Sequence, residues 1–180
     1  ATGWRADPSM PRYVAFLGSI NVGGNRLTMA DLRWAFEREG LGQVETVVAS
    51  GNVLFDYDER PSDGLEDLLA HMMAERFEID SFVAVRNRDE VAADGAENLV
   101  HTQFLGSQPS QAQFDDLLSA YAGRGPERLA LGDRALYIDF VDGAGNSRLT
   151  GPFIERRLGS KGTARNIRSL RRILDKMDEV

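Results

Sequence analysis

The sequence contains no cysteine and only two histidines, His71 and His101. The first absence removes disulfides, thiolate nucleophiles and thiolate metal ligands together. The second leaves too few imidazoles, without the spacing of a metal pair, for a zinc site of the usual type. No metal and no cofactor are therefore expected. No run approaches the roughly 18 apolar residues of a membrane span. The opening stretch, Ala1 to Ser9, is polar and has no apolar core, so it reads as a loose tail and not as a signal peptide. A cytoplasmic protein without a membrane partner is expected. A Gly-x-Ser-x-Gly nucleophile elbow and a Gly-Lys-Ser/Thr phosphate loop are also missing. No residue can be named as nucleophile or general base, so the sequence leaves open whether the protein is an enzyme.

What is present is ordinary globular material. Hydrophobic residues make up 42% of the 180 and charged residues 27%, which argues against disorder along the whole chain. The net charge of −7 is unevenly spread. Residues 1–147 hold 12 arginines against 24 acids, whereas 148–180 hold 9 Lys and Arg against 4 acids. A basic end of this kind reads in two ways, as a surface for anions or nucleic acid or as a helix docked on an acidic body.

Periodicity places the elements. Arg12 to Leu17 is a short apolar run and reads as a buried strand. Thr28 with Asp31 three residues on is a capping-box signal, followed by Leu32, Ala35 and Phe36 on one helical face and Gly40 as a stop. Val44 to Ala49 and Val53 to Phe55, separated by Ser50-Gly51-Asn52, predict a tight hairpin. Leu65, Leu68, Leu69, Met72, Met73 and Phe77 follow helical spacing closely, and Phe82 to Arg86 reads as a strand. One short helical turn is expected within 87–98.

The second half reads β-α-β-β-α-α, an order that resembles the first: a strand over Leu99 to Leu105, a helix from Gln111 to Tyr121, and a hairpin of Arg128 to Leu131 with Ala135 to Phe140. A helix over Thr150 to Leu158, with Pro152 near its start, is followed by a last helix from about Arg165 to Met177. These patterns predict an α+β protein of two ferredoxin-like (split βαβ) halves with antiparallel sheets and an extra C-terminal helix. Its organisation is read as a flexible tail over 1–10, a first half over 11–96 and a second over 97–180.

Several of these segments resemble a known family. Tyr13-Val-Ala-Phe-Leu17, Ile20-Asn-Val-Gly-Gly24 and Met29-Ala-Asp-Leu32 are similar to the first motif of the domain-of-unknown-function family 1697. Ser50-Gly-Asn-Val53 is similar to the second, and Ser147-Arg-Leu-Thr150 and Thr163-Ala-Arg-Asn166 to two C-terminal ones. The resemblance spans residues 11–177. It implies two ferredoxin-like parts in a bacterial protein and brings no established activity. Two departures stand out. The family usually has Leu-Arg-Gly-Ile-Asn where this chain has Leu17-Gly-Ser-Ile-Asn21, and Arg-Asn-Trp-Asn-Thr where it has Arg165-Asn-Ile-Arg-Ser169. An arginine and a tryptophan are absent.

Candidate binding residues follow from loop chemistry. Asn21, Gly23, Gly24 and Arg26 lie between a strand and a helix N-terminus, where free N–H groups and the helix dipole favour an anion; positive backbone φ is the simpler demand that glycines there would meet. Ser50 and Asn52 either present polar groups to a ligand or simply make the hairpin turn. Arg148, Lys161, Thr163, Arg165 and Asn166 form the basic C-terminal candidate. Arg165 opposes the dipole of the helix it is expected to begin, while Thr163 or Asn166 could cap it. The expectation is a binder of a small anionic ligand, such as a nucleotide or phosphorylated metabolite. A nucleic-acid module using the basic end, or a structural module that dimerises, stands as the alternative.

Overall fold

A computed structural model describes residues 10–18, 27–47, 51–59, 61–92, 100–141 and 147–179. The chain divides into two compact units. One combines the described residues up to 92 with 171–179, and the other comprises residues 100–170. The last helix thus lends its end to the first unit. No helix among the described residues is long and apolar enough to cross a membrane.

The first unit runs β1 (Arg12–Gly18), α1 (Met29–Arg38), β2 (Gly42–Thr46), β3 (Asn52–Asp56), α2 (Ser62–Phe77), β4 (Phe82–Asn87) and the short α3 (Arg88–Ala92). Its strands form one antiparallel sheet in the order β2-β3-β1-β4, the split-βαβ arrangement expected from the sequence. Thr28 caps α1 as its sequence suggests. Its Oγ1 accepts from the Asp31 N–H at 3.0 Å, and the Asp31 carboxylate accepts from the Thr28 N–H at 3.3 Å. One sheet face sends Tyr13, Ala15, Leu17, Val53, Phe55, Val83 and Val85 against the apolar stripes of α1 and α2. Phe55 is the centre of this layer, stacked on Tyr13 and edge-on to Phe36. Val14, Phe16, Leu54 and Ala84 point to the other face and are also fully buried. Burial on both faces is why β1 reads as a continuous apolar run and shows no alternation.

The C-terminus of α2 is strained in a way the sequence does not announce. Glu78 adopts φ +55° and ψ 35°, and the Ile79 N–H reaches back to the Met73 carbonyl at 3.3 Å. This left-handed cap favours glycine, and an acid there also faces the negative end of the helix dipole. Glu78→Gly is expected to stabilise the protein by about 0.5–1 kcal/mol. A melting temperature raised by roughly 1–4 °C checks this in a thermal scan.

The second unit runs β5 (Val100–Leu105), α4 (Gln111–Tyr121), β6 (Arg128–Gly132), β7 (Ala135–Asp139), α5 (Gly151–Leu158) and β8 (Gly162–Asn166), with α6 (Ile167–Asp178) following directly. Its antiparallel sheet has the order β6-β7-β5-β8, the same arrangement as in the first. Leu105, Leu136 and Ile138 pack on Phe114, Leu117 and Tyr121 of α4 and on Ile154 and Leu158 of α5.

The order expected for this half needs one correction. Residues 162–166, read as the approach to the last helix, are strand β8, paired with β5 from His101↔Asn166 to Leu105↔Gly162. α6 begins at Ile167, not near Arg165. Gly162-Thr-Ala-Arg-Asn166 sits on a half-exposed edge, so it has no apolar alternation to mark it. Smaller shifts occur elsewhere: β2 starts at Gly42 and ends at Thr46.

Candidate functional site

The expected binding residues fall into three groups. Asn21, Gly23, Gly24, Arg26 and Ser50 lie outside the described residues. Asn52 is buried at the start of β3. Its Nδ2 donates to the Val47 carbonyl at 3.1 Å, and the Val47 N–H donates to the Asn52 carbonyl at 3.0 Å. Its polar groups close the β2–β3 hairpin.

The C-terminal group is described in full. Asn166 caps α6, with Oδ1 accepting from the Ser169 N–H at 2.9 Å. Thr163 and Arg165 sit side by side on β8, opposite Phe104 and Thr102. The Arg165 Nη1 donates to Thr163 Oγ1 at 2.7 Å and to the Ala164 carbonyl at 2.9 Å. Burial pushes the Arg165 guanidinium down to about 10, which leaves it charged at neutral pH. Lys161 is exposed just before β8, and its carbonyl accepts from the Gly106 N–H at 3.0 Å. Arg148 is exposed on the segment leading into α5. Because Leu105 faces α4 and α5, the alternate residues Thr102 and Phe104, and with them Arg165, lie on the opposite sheet face. Arg148 instead acts electrostatically on Tyr121 of α4. The structure therefore brings Thr163 and Arg165 together but not Arg165 and Arg148.

Around Arg148 a polar knot ties three parts of the second unit. The Tyr121 hydroxyl donates to Glu127 Oε2 at 2.6 Å, and the Ser147 hydroxyl donates to Glu127 Oε1 at 2.7 Å. The Leu149 N–H donates to Ser147 Oγ at 3.0 Å. A side chain at position 125 would run into the Glu127 carboxylate and the Tyr121 hydroxyl, so Gly125 permits the close approach. Burial works against the Glu127 charge, but the hydrogen bonds from Tyr121 and Ser147, together with a backbone hydrogen bond, outweigh it and hold the carboxyl below its ordinary range. Burial, with the bond to Glu127 second, raises the Tyr121 hydroxyl; the bond with Ser147 and the charge of Arg148 pull it the other way.

Both Glu127 oxygens are thus engaged by hydroxyl donors, and the carboxylate keeps its negative charge. Phe153 of α5 meets Tyr121 edge-on at 6.0 Å. The guanidinium groups of Arg124 and Arg157 lie 5.5 and 5.6 Å from the Phe153 ring centroid. With Arg148 they place three cations about one aromatic pair. The acid that faces them from α4 is Asp116, 3.5 Å from Arg157 and itself half exposed. Sequence reading isolates Ser147 and Arg148 by their motif. It misses Tyr121, Arg124, Glu127, Phe153 and Arg157, which come from separate elements and have no shared spacing to find them by.

The first unit offers clefts of a different character. One of them, of 660 Å³, is lined by Arg12, Arg33, Glu37, Gln43 and Glu45 among others. Its cations are already matched: Arg12 with Asp56 at 2.8 Å and Glu45 at 3.5 Å, and Arg33 with Glu37 at 3.5 Å. No group of three or more potential metal ligands gathers among the described residues. His71 is exposed on α2, and His101 lies in β5 with its ring edge-on to Phe140 at 4.8 Å.

The sequence profile of a family described as a protein of unknown function, DUF1697, matches residues 10–137. The chain belongs to the DUF1697 family. The match takes in the first unit's strands and α1 to α3, and ends within β7, before Ser147. The fold of this DUF1697 protein is similar to that of the conserved bacterial protein SP0830 from Streptococcus pneumoniae, with a TM-score of 0.68 at 21% identity over 95% of this chain and 100% of that one. No curated protein matches. Family and fold are thereby fixed, and neither carries an activity.

Proposed function

We propose that this DUF1697 protein binds a small anionic ligand, a phosphorylated metabolite or nucleotide, on its second unit. The observation that supports this reading is the set of three guanidinium groups, Arg124, Arg148 and Arg157, about the Tyr121–Phe153 pair. Guanidinium forks match phosphate oxygens in a bidentate way. The sign of the surrounding charge agrees: the described residues of this unit hold nine Lys and Arg against six acids, within a chain of net charge −7. The test is a thermal-shift and calorimetric titration with inorganic phosphate, pyrophosphate and nucleotides. A ligand at about 100 times its dissociation constant adds roughly 2.7 kcal/mol. Arg124→Ala and Arg148→Ala, both at exposed positions, are expected to abolish that shift and leave the unliganded melting temperature unchanged. A shift that survives both substitutions places the anion elsewhere, and no shift with any of these anions removes the reading.

One observation favours a second reading. Arg168, Arg171 and Arg172 are exposed at helical spacing on α6 and have no ion-pair partner among the described residues. A nucleic-acid backbone contacted by these three would show an affinity falling with salt at a log–log slope of about −0.9 per phosphate. The acidic charge of the whole chain weighs against it.

A further inference from the structure

The two sheets have four outer strands, and their backbone groups are treated unequally. On β4 the Val85 N–H is taken by Glu66 Oε2 at 2.8 Å. On β2 a bulge interrupts the ladder between Gly42 and Glu45, Gln43 has φ +46°, and Arg12 caps the Gln43 carbonyl at 3.0 Å. On β8 Glu155 accepts from the Gly162 N–H at 3.3 Å, and Arg165 covers the Ala164 carbonyl at 2.9 Å. Side-chain caps and bulges of this kind are how edges are kept from pairing.

β6 is the exception. Its hairpin with β7 turns through Asp133-Arg134, so Gly132 with Ala135, Ala130 with Tyr137 and Arg128 with Asp139 are the mutually bonded pairs. The N–H and C=O of Leu129 and Leu131 then point outward. Gln108 reaches only the hairpin end, donating to the Gly132 carbonyl at 3.2 Å and accepting from the Arg134 N–H at 2.6 Å. No side chain among the described residues covers Leu129 or Leu131.

We propose that the β6 edge pairs antiparallel with β6 of a second copy of this chain about a twofold axis at Ala130. The sequence Arg128-Leu-Ala-Leu-Gly132 is self-complementary in that register. Leu129 faces Leu131 of the second copy, and both pairs exchange their outward N–H and C=O groups. Their side chains lie on the face that packs with α4 and α5, so the apolar layer continues across the axis. Arg128 faces a glycine and not its own counterpart, so no like charges are opposed. A Cβ at Gly132 would meet the Tyr137 ring at 2.6 Å. Glycine therefore leaves the phenol lying over the position to which the incoming arginine is brought, within reach of a cation–π contact. The contact is isologous, so it closes at a dimer.

Sedimentation equilibrium of the full chain tests the pairing. Ala130 is exposed, so substitution there leaves the monomer folded, which a thermal scan verifies. Wild type is expected to be dimeric. Ala130→Lys and Ala130→Glu each oppose like charges across the axis and are expected to weaken the dimer roughly tenfold. An equimolar mixture of A130K and A130E, with opposite charges across the axis, is expected to restore it. A monomer at every concentration, a dimer unmoved by A130K, or a mixture no tighter than the single variants would overturn the proposal; the last two would move the interface elsewhere or assign the edge to an extended segment of another protein.

Discussion

Glu66→Ala is expected to destabilise the protein by about 3–5 kcal/mol, because it removes an acid paired with a buried guanidinium. Glu66 Oε2 accepts from Arg86 Nη1 and from the Val85 N–H, both at 2.8 Å, and the Arg86 side chain is only 2% exposed. The substitution therefore removes a charge partner and uncovers an edge N–H together. A loss of this size is a large part of the roughly 5–15 kcal/mol that holds a domain folded, so the melting temperature should fall by about 10 °C or more. Replacing the pair jointly, as in Glu66→Leu with Arg86→Met, removes both buried charges and is expected to recover most of that loss. Urea denaturation of the two single variants and the double variant measures both effects. A Glu66→Ala protein as stable as wild type would show that Arg86 escapes to water and that the pair is not buried in solution.

Phe55→Ala is expected to cost about 3–5 kcal/mol for a different reason. Phe55 is fully buried, with Tyr13 at 5.7 Å on one side and Phe36 of α1 at 5.8 Å on another. Truncation forfeits the transfer of the ring from water and leaves a cavity that two aromatic neighbours cannot collapse into. Phe55→Leu keeps most of the volume and should cost less than about 1.5 kcal/mol. The denaturation midpoint of each, at an unchanged slope with urea, reads the difference directly. A Phe55→Ala cost under about 1 kcal/mol would mean that α1 closes over the gap and that the sheet–helix layer is less rigid than its packing indicates.

The legibility of the fold varied from element to element for physical reasons. Helix α2 was plain because its buried face repeats at helical spacing through Leu65, Leu69, Met72 and Met73. The start of α1 was plain because a capping box is a local pattern, and both of its bonds form. Strand β8 was hidden because an edge strand needs apolar residues on neither face to be paired, and its register is set by β5, some sixty residues earlier in the chain. Asn166 is the one of the two cap candidates, Thr163 and Asn166, that caps the last helix, which begins at Ile167, two residues later than the pattern suggests.

The candidate site shows the same division. Charge is a property of composition, so the basic end and the cations Arg148, Lys161 and Arg165 could be named without a structure. Which of them act together depends on strand alternation and on which sheet face the helices cover, and those are long-range outcomes. The sequence by itself determined the class of the protein, the split-βαβ order of the first half and most helix boundaries, because periodicity, caps and turn residues act within a few positions. The tertiary structure alone decided that Arg165 and Arg148 lie on opposite sides of a sheet, that Arg124 and Arg157 meet at Phe153, and that no side chain among the described residues caps Leu129 or Leu131 on β6. Each of these joins residues distant along the chain, and no local free energy records such a meeting.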